Sequence, residues 1–294
     1  MPEPQMKEPY YLGADLGGTQ LRVAAVTSDG QLATEVLAVP TGRDFGPHEL
    51  REQLSSLTQQ VQAMVDGHPI AALGFGTAGV IEQGTLTQAS NLPGLNGAHI
   101  EGLVSAAAGC PVKIENDARC FALAEARYGA GRGARHFCGL TLGTGLGCGV
   151  MIDGRLHRGV SGQAGEVWRI PLHEHHAEYY VSGAGVVRRY ESAGGKAGAE
   201  ITSAQIAALA REGDTTALAA WQAFSDDLYV VCEMVISLIE PEVIVLGGSL
   251  AQARDLYAAS LTTRLAPRAT SIAFAELGAA AGVIGAAALN ISQQ

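Results

Sequence analysis

Aromatic residues are scarce: Phe, Trp and Tyr make up 5% of the 294 residues, and only two of them are Trp. This is not a disorder signal, because aliphatic residues run throughout and hydrophobic residues reach 47%. Such a chain can bury one large core or two ordinary ones. Positive charge is also in short supply. Nineteen Lys and Arg stand against 29 Asp and Glu, a net charge of −10. That argues against nucleic acid or an anionic membrane surface as a partner, and leaves room for an anionic ligand held locally by backbone amides. No apolar run is long enough to span a membrane, and residues 279–289, the nearest to one, are mostly Ala and Gly. Met1–Lys7 holds Pro and Glu but no apolar signal core, so no secretion signal is expected. Cys110, Cys120, Cys138, Cys148 and Cys232 are scattered, odd in number and form no CxxC pair. That pattern favours reduced thiols in a cytoplasm over a disulfide framework or a cysteine zinc knuckle.

What is present is an alternation of strands and helices. An apolar run from Tyr11 to Asp15 meets Gly17-Gly18, and Leu21–Val26 follows. Leu50, Leu54, Leu57, Val61 and Met64 have helical spacing, with Gly67 as a stop. Residues 70–76 and Pro111–Ile114 read as strands, and Asn116 opens a helix through Ala126. Phe137–Val150 is a second strand–glycine turn–strand unit, and 203–211 a short helix. Trp221, Phe224, Leu228, Val231, Val235 and Leu238 predict a long helix stopped by Pro241, serving core or dimer packing. Val243–Leu246 is a buried-type strand that meets Gly247-Gly248.

The segment Leu12–Thr19 resembles the segment starting at Leu140: both run a strand into a glycine turn and back out. The repeat predicts a duplicated α/β domain, two lobes facing each other across a cleft. The expected division is 10–118 for a smaller lobe and 119–280 for a larger one, with a C-terminal helix at 281–294 returning to the first.

Glycines at Gly17 and Gly18 let backbone N–H groups approach phosphate oxygens, and Asp15 at a strand end can organise Mg²⁺ through water. Alone, the turn could be a plain hairpin. Gly143-Thr144-Gly145 in the matching place of the other half favours a nucleotide held by both turns, and Gly247-Gly248 suits a ligand at a strand's carboxyl end. Asn116-Asp117 suits a helix cap and also a general base, Asp117, accepting a proton from a hydroxyl; both can hold. Glu166 and Glu178 are carboxylates that could bind vicinal hydroxyls or remain solvated. His173-Glu174-His175-His176 offers zinc-type ligands at a spacing that matches no firm zinc pattern, and otherwise reads as polar surface.

In this order, from about Tyr11 to Leu289, these residues resemble the ROK family of bacterial sugar kinases (repressor, open reading frame, kinase). Leu12-Gly-Ala-Asp-Leu-Gly-Gly-Thr19 and Leu142-Gly-Thr-Gly-Leu-Gly-Cys-Gly149 look like its two phosphate motifs. Ile114-Glu-Asn-Asp-Ala118 resembles its catalytic segment, Ile244-Val-Leu-Gly-Gly248 the segment near adenosine, and Asn91-Leu-Pro-Gly94 also has the family's look. The resemblance implies an actin-like ATPase (ribonuclease H-like) fold, with ATP and Mg²⁺ in the cleft. ATP would meet Asp15, Gly17, Gly18, Thr19, Gly143, Thr144, Gly145, Gly247 and Gly248. Asp117 would be the base, and Gly79, Ser90, Asn116, Glu166 and Glu178 would meet the sugar.

One departure stands out. The family's Gly-Glu-x-Gly-His segment and cysteine zinc loop correspond here to Gly165-Glu166-Val167-Trp168-Arg169 and a stretch without cysteines, His176 falling where one zinc cysteine would lie. No zinc is therefore expected. Trp168 could stack on a sugar ring or pack inside. The family's repressors carry a helix-turn-helix ahead of the kinase body, and none is expected here because the phosphate motif begins at Leu12. The expectation is a hexose kinase acting on glucose, with N-acetylmannosamine or fructose as alternative substrates, working as a homodimer or larger homo-oligomer. The reading from a different class is a sugar-binding sensor that has lost turnover.

Overall fold

The computed structural model describes residues 7–195 and 201–292. The chain divides into two compact units. The first takes the described residues of Met1–Gly129, Gly159–Gln163 and Ala279–Gln294; the second takes those of Ala130–Arg158 and Ala164–Gly278.

The first unit is built on β1 (Tyr10–Leu16), β2 (Gln20–Val26), β3 (Leu37–Pro40), β4 (Ile70–Thr77) and β7 (Val112–Asn116), in the order β3-β2-β1-β4-β7. β1 pairs antiparallel with β2 and parallel with β4, which pairs parallel with β7. β5 (Val80–Glu82) and β6 (Thr85–Gln88) form a separate hairpin. Helices α1 (Pro47–Met64), α2 (Ile100–Ala108) and α3 (Asp117–Tyr128) complete this part. The Glu49 carboxylate of α1 accepts from the Gly46 amide and Pro47 occupies the first helical position, two ordinary helix-starting signals. α1 buries Leu50, Leu54, Leu57 and Val61, as their spacing requires, while Met64 in its last turn is 41% exposed.

The second unit repeats that plan. Its sheet holds β8 (Phe137–Leu142), β9 (Leu146–Ile152), β10 (Arg155–Leu156), β13 (Val243–Gly247) and β14 (Ser271–Phe274), in the order β10-β9-β8-β13-β14. Again the central strand pairs antiparallel with its hairpin partner and parallel with the next strand. The duplication read from the two glycine motifs is therefore present in the strand topology. β11 (Pro171–Leu172) and β12 (His175–His176) form a small hairpin that leads into α4 (Ala177–Tyr180). α5 (Gly183–Ser192), α6 (Ser203–Arg211), α7 (Thr215–Ile239) and α8 (Ala258–Leu265) follow. Trp221 and Phe224 of α7 pack with Tyr257, ring centroids 6.1 and 5.4 Å away, and all three are buried. The aromatic end of α7 thus serves the core of its own unit. Leu238, on the same spacing, is 80% exposed.

Helix α9 (Ala281–Ala288) lies against β1, β4 and α3 in the first unit. Glycine makes that approach possible: a Cβ on Gly13 or Gly74 would fall 1.9 or 1.7 Å from a carbonyl oxygen of α9. No helix among the described residues is long and apolar enough to cross a membrane. None of the five cysteines forms a disulfide among the described residues, and burial pushes the Cys232 thiol up to about 12.

Candidate active site

In the first unit, the β1–β2 hairpin carries Asp15 at its closing end, opposite Arg22. Asp15 is 6% exposed, and Arg22 Nη2 donates to Asp15 Oδ2 at 2.7 Å. Burial pushes the carboxyl above its ordinary range, and the Arg22 guanidinium pulls in the opposite direction. A Cβ on Gly282, in the first turn of α9, would lie 2.5 Å from Asp15 Oδ2. The positive end of that helix therefore abuts the carboxylate.

The turn itself is pinned by Gly17 N donating to Gln20 O (2.9 Å) and by Thr41 Oγ1 donating to Gly17 O (2.8 Å). Among the described residues, nothing accepts from the amides of Gly18 and Thr19. Free turn amides beside a strand-end carboxylate match what a hydrated Mg²⁺–phosphate group requires. The carboxylate already holds one arginine, which suits contact with the ion through water rather than a full set of protein oxygens.

Asn116 ends β7 and caps α3. Its Oδ1 accepts from the amides of Ala118 (3.0 Å) and Arg119 (3.3 Å), and its Nδ2 donates to Gly79 O at 3.2 Å. The Asn116 amide donates to Glu115 Oε1 (3.0 Å), and Glu115 is paired with Arg119 one helical turn on, both buried. With Asn116 doing the capping, Asp117 is the first residue of the helix, half-buried, with its Oδ1 accepting from Ala118 N. Gly79 takes φ +107° and a Cβ there would strike Gln88 O at 2.2 Å, so glycine is required. Ser90 is exposed in the turn after β6. Its neighbour Asn91 lies so close to the first glycine turn that a Cβ on Gly18 would be 2.7 Å from the Asn91 Cβ. In the sequence the only signal for Asn91 is its place in Asn91-Leu-Pro-Gly94.

In the second unit, Gly143-Thr144-Gly145 closes the β8–β9 hairpin. Gly143 N donates to Gly145 O (3.0 Å), and Gly183 N donates to Gly143 O (2.8 Å). Glu178 of α4 reaches this turn, with Oε2 accepting from Leu146 N at 2.9 Å. Among the described residues nothing accepts from the Thr144 and Gly145 amides. Gly247 ends β13 and Gly248 has φ +84°, with a Cβ there falling 2.3 Å from Leu142 O. The fold thus gathers Gly143–Gly145, Gly248 and Glu178 at one end of the second sheet. In the first unit it likewise gathers Asp15, Gly17–Thr19 and Asn91, and separately Gly79, Asn116 and Asp117.

The family model for ROK matches residues 11–293. This chain belongs to the ROK family of sugar kinases. It is 33% identical to the N-acetylgalactosamine kinase of Shewanella sp. (strain ANA-3), over 95% of this chain and 96% of that one. It is 29% identical to a glucokinase of Streptomyces coelicolor, over 95% and 96%. Its structure is similar to that of a ROK family glucokinase from Streptomyces griseus in complex with glucose and AMPPNP. The TM-score is 0.81 and the identity 25%, covering 95% of this chain and 98% of that one. A ROK hexokinase from Thermus thermophilus gives a TM-score of 0.83 at 28% identity, covering 95% and 97%.

The segment from Glu166 to His176 is built from rings and ion pairs. Glu166 precedes a single turn, Val167–Arg169, and its Oε2 accepts from Trp168 Nε1. The Arg169 guanidinium lies 4.7 Å from the Trp168 ring centroid, and the His176 ring meets Trp168 edge-on at 6.1 Å. His176 Nδ1 accepts from Tyr179 N (3.3 Å) and so caps α4. His175 stacks on Tyr179 at 3.9 Å. His173, at φ +51° in the β11–β12 turn, is 2.7 Å from Asp227 Oδ1, and Arg189 holds the other oxygen of that carboxylate. Burial lowers the Arg189 pKa from its ordinary value. His175 and His176 thus both engage Tyr179 while His173 meets Asp227, and among the described residues no three His, Cys, Asp or Glu side chains gather to hold a metal ion.

Proposed function

We propose that this ROK protein is an ATP-dependent hexose kinase, with glucose as substrate and glucose 6-phosphate as product. The observation that carries this reading is the start of α3: Asn116 is the cap and also reaches Gly79, and beside it Asp117, with one carboxylate oxygen on Ala118 N, stands half-exposed at the helix N-terminus. In the proposed reaction the sugar hydroxyl gives its proton to Asp117, its oxygen forms a bond to the γ-phosphorus, and the bond to the ADP oxygen breaks. A carboxylate at a helix N-terminus is a weak base. It suffices because phosphoryl transfer through a loose transition state asks for positioning more than for strong proton abstraction.

The free amides of Gly18, Thr19, Thr144 and Gly145 would receive phosphate oxygens, with Gly247-Gly248 towards adenosine. Bound Mg²⁺, held by Asp15 through water, would neutralise phosphate charge. Asn116, Glu166, Glu178, Gly79 and Ser90 would hold the sugar.

The relationship to an N-acetylgalactosamine kinase supports a second reading in which the substrate is a 2-acetamido hexose. A coupled ADP-release assay with MgATP against hexoses and N-acetylhexosamines decides between them. Turnover on glucose, lost in Asp117→Asn, is the expected result. Turnover confined to an N-acetylhexosamine selects the second reading, and binding without turnover on any sugar defeats both.

A further inference from the structure

Glu166 sits in a loop just after Gly165, where φ is +84° and a Cβ would fall 2.7 Å from Cys148 O. A carboxylate on such a loop has several rotamers open to it, and ordering them on ligand binding costs entropy. Here the Trp168 indole N–H donates to Glu166 Oε2. An indole nitrogen can only donate, and an ionised carboxylate accepts through both oxygens, so one oxygen can be tethered while the group still receives other donors. The indole is itself fixed. It packs against the core of the second unit, carries Arg169 on its face and meets His176 edge-on. His176 in turn caps α4, the helix that bears Glu178. Both carboxylates assigned to the sugar therefore hang from one chain of contacts: Glu166, Trp168, His176, α4.

We infer that Trp168 is a positioning residue for sugar binding, its indole N–H holding the Glu166 carboxylate in the orientation that receives sugar hydroxyls. This rests on the kinase reading above and deepens it. A donor of this kind acts on ground-state binding, so its loss raises the sugar KM and spares kcat.

Trp168→Phe keeps a ring in place and deletes the donor. The expected result is a sugar KM raised about tenfold, as for a lost hydrogen bond to a charged group, with kcat and the ATP KM unchanged within about twofold. In a Glu166→Ala background, the same Trp168→Phe change should raise the sugar KM no further. A native sugar KM in Trp168→Phe overturns the inference. So does an equal penalty in both backgrounds, or a rise in both KM values together with a lowered melting temperature. Glu166→Ala separates the two levels. If it raises the sugar KM while Trp168→Phe is silent, only the positioning role falls. If it leaves the sugar KM native, the assignment of Glu166 to the sugar falls as well.

Discussion

Glu178 and Leu146 are joined by a 2.9 Å hydrogen bond from the Leu146 amide to Glu178 Oε2, at the exit of the second glycine turn. A Cβ on Gly145 would lie 2.5 Å from the same oxygen. Glycine at 145 therefore leaves room for the carboxylate that ties α4 to the turn.

Gly145→Ala is expected to push Glu178 off the Leu146 amide. The ATP KM should rise about tenfold and stability should fall by about 1–2 kcal/mol, from a displaced charged hydrogen bond and a crowded turn. Steady-state kinetics at saturating sugar and a denaturant titration check this. A native ATP KM would show that the link has no bearing on the nucleotide.

Asp117→Asn should lower kcat by about 10²–10⁴-fold, the range for loss of a general base. Its melting temperature should stay near native, because the cap of α3 is Asn116. Asn116→Ala should show the converse in stability, losing about 1 kcal/mol with the cap. Melting curves of the two variants side by side are the control for the kinetic result.

The buried Asp15 carboxyl carries a pKa above its ordinary value. Between the unfolded and the folded pKa the native state holds more protons than the unfolded chain, so stability falls as pH rises through that window and stays lowered above it. In Asp15→Asn that fall should be absent. Unfolding free energies measured across the acid range should therefore show native protein losing stability relative to the variant as pH rises. Parallel pH profiles would contradict the raised pKa.

Asp227 is buried and holds both Arg189 and His173. Asp227→Ala leaves the mostly buried Arg189 guanidinium without its carboxylate and should cost about 3–5 kcal/mol. His173→Ala removes only the exposed partner of this carboxylate and should cost less than about 1 kcal/mol. Denaturant titration of both variants measures the difference. Equal losses would place the weight on the hairpin rather than on the arginine.

The parts of this architecture legible in the sequence are those whose signal is local. Both glycine turns, the Asn116-Asp117 helix start and the stop at Pro241 each lie within a few residues of the strand or helix they punctuate. The destinations of side chains were not legible. Glu178 read as a sugar ligand or a solvated charge, and nothing in its own neighbourhood pointed to the amide of Leu146. His173 meets Asp227 only because the hairpin and α7 fold together. At two helix ends the spacing outlasts the burial: the stripes in α1 and α7 continue to Met64 and Leu238, yet both are exposed. Periodicity states which face a residue shares, and burial depends on what stands opposite that face.

The placement of α9 has a consequence for synthesis on the ribosome. The backbones of Gly13 and Gly74 lie against a helix that follows the entire second unit in chain order. The strands that are made first must wait for the residues made last, so the first unit is completed only after the second has emerged. Until then the glycine-lined face of β1 and β4 lacks the helix that covers it.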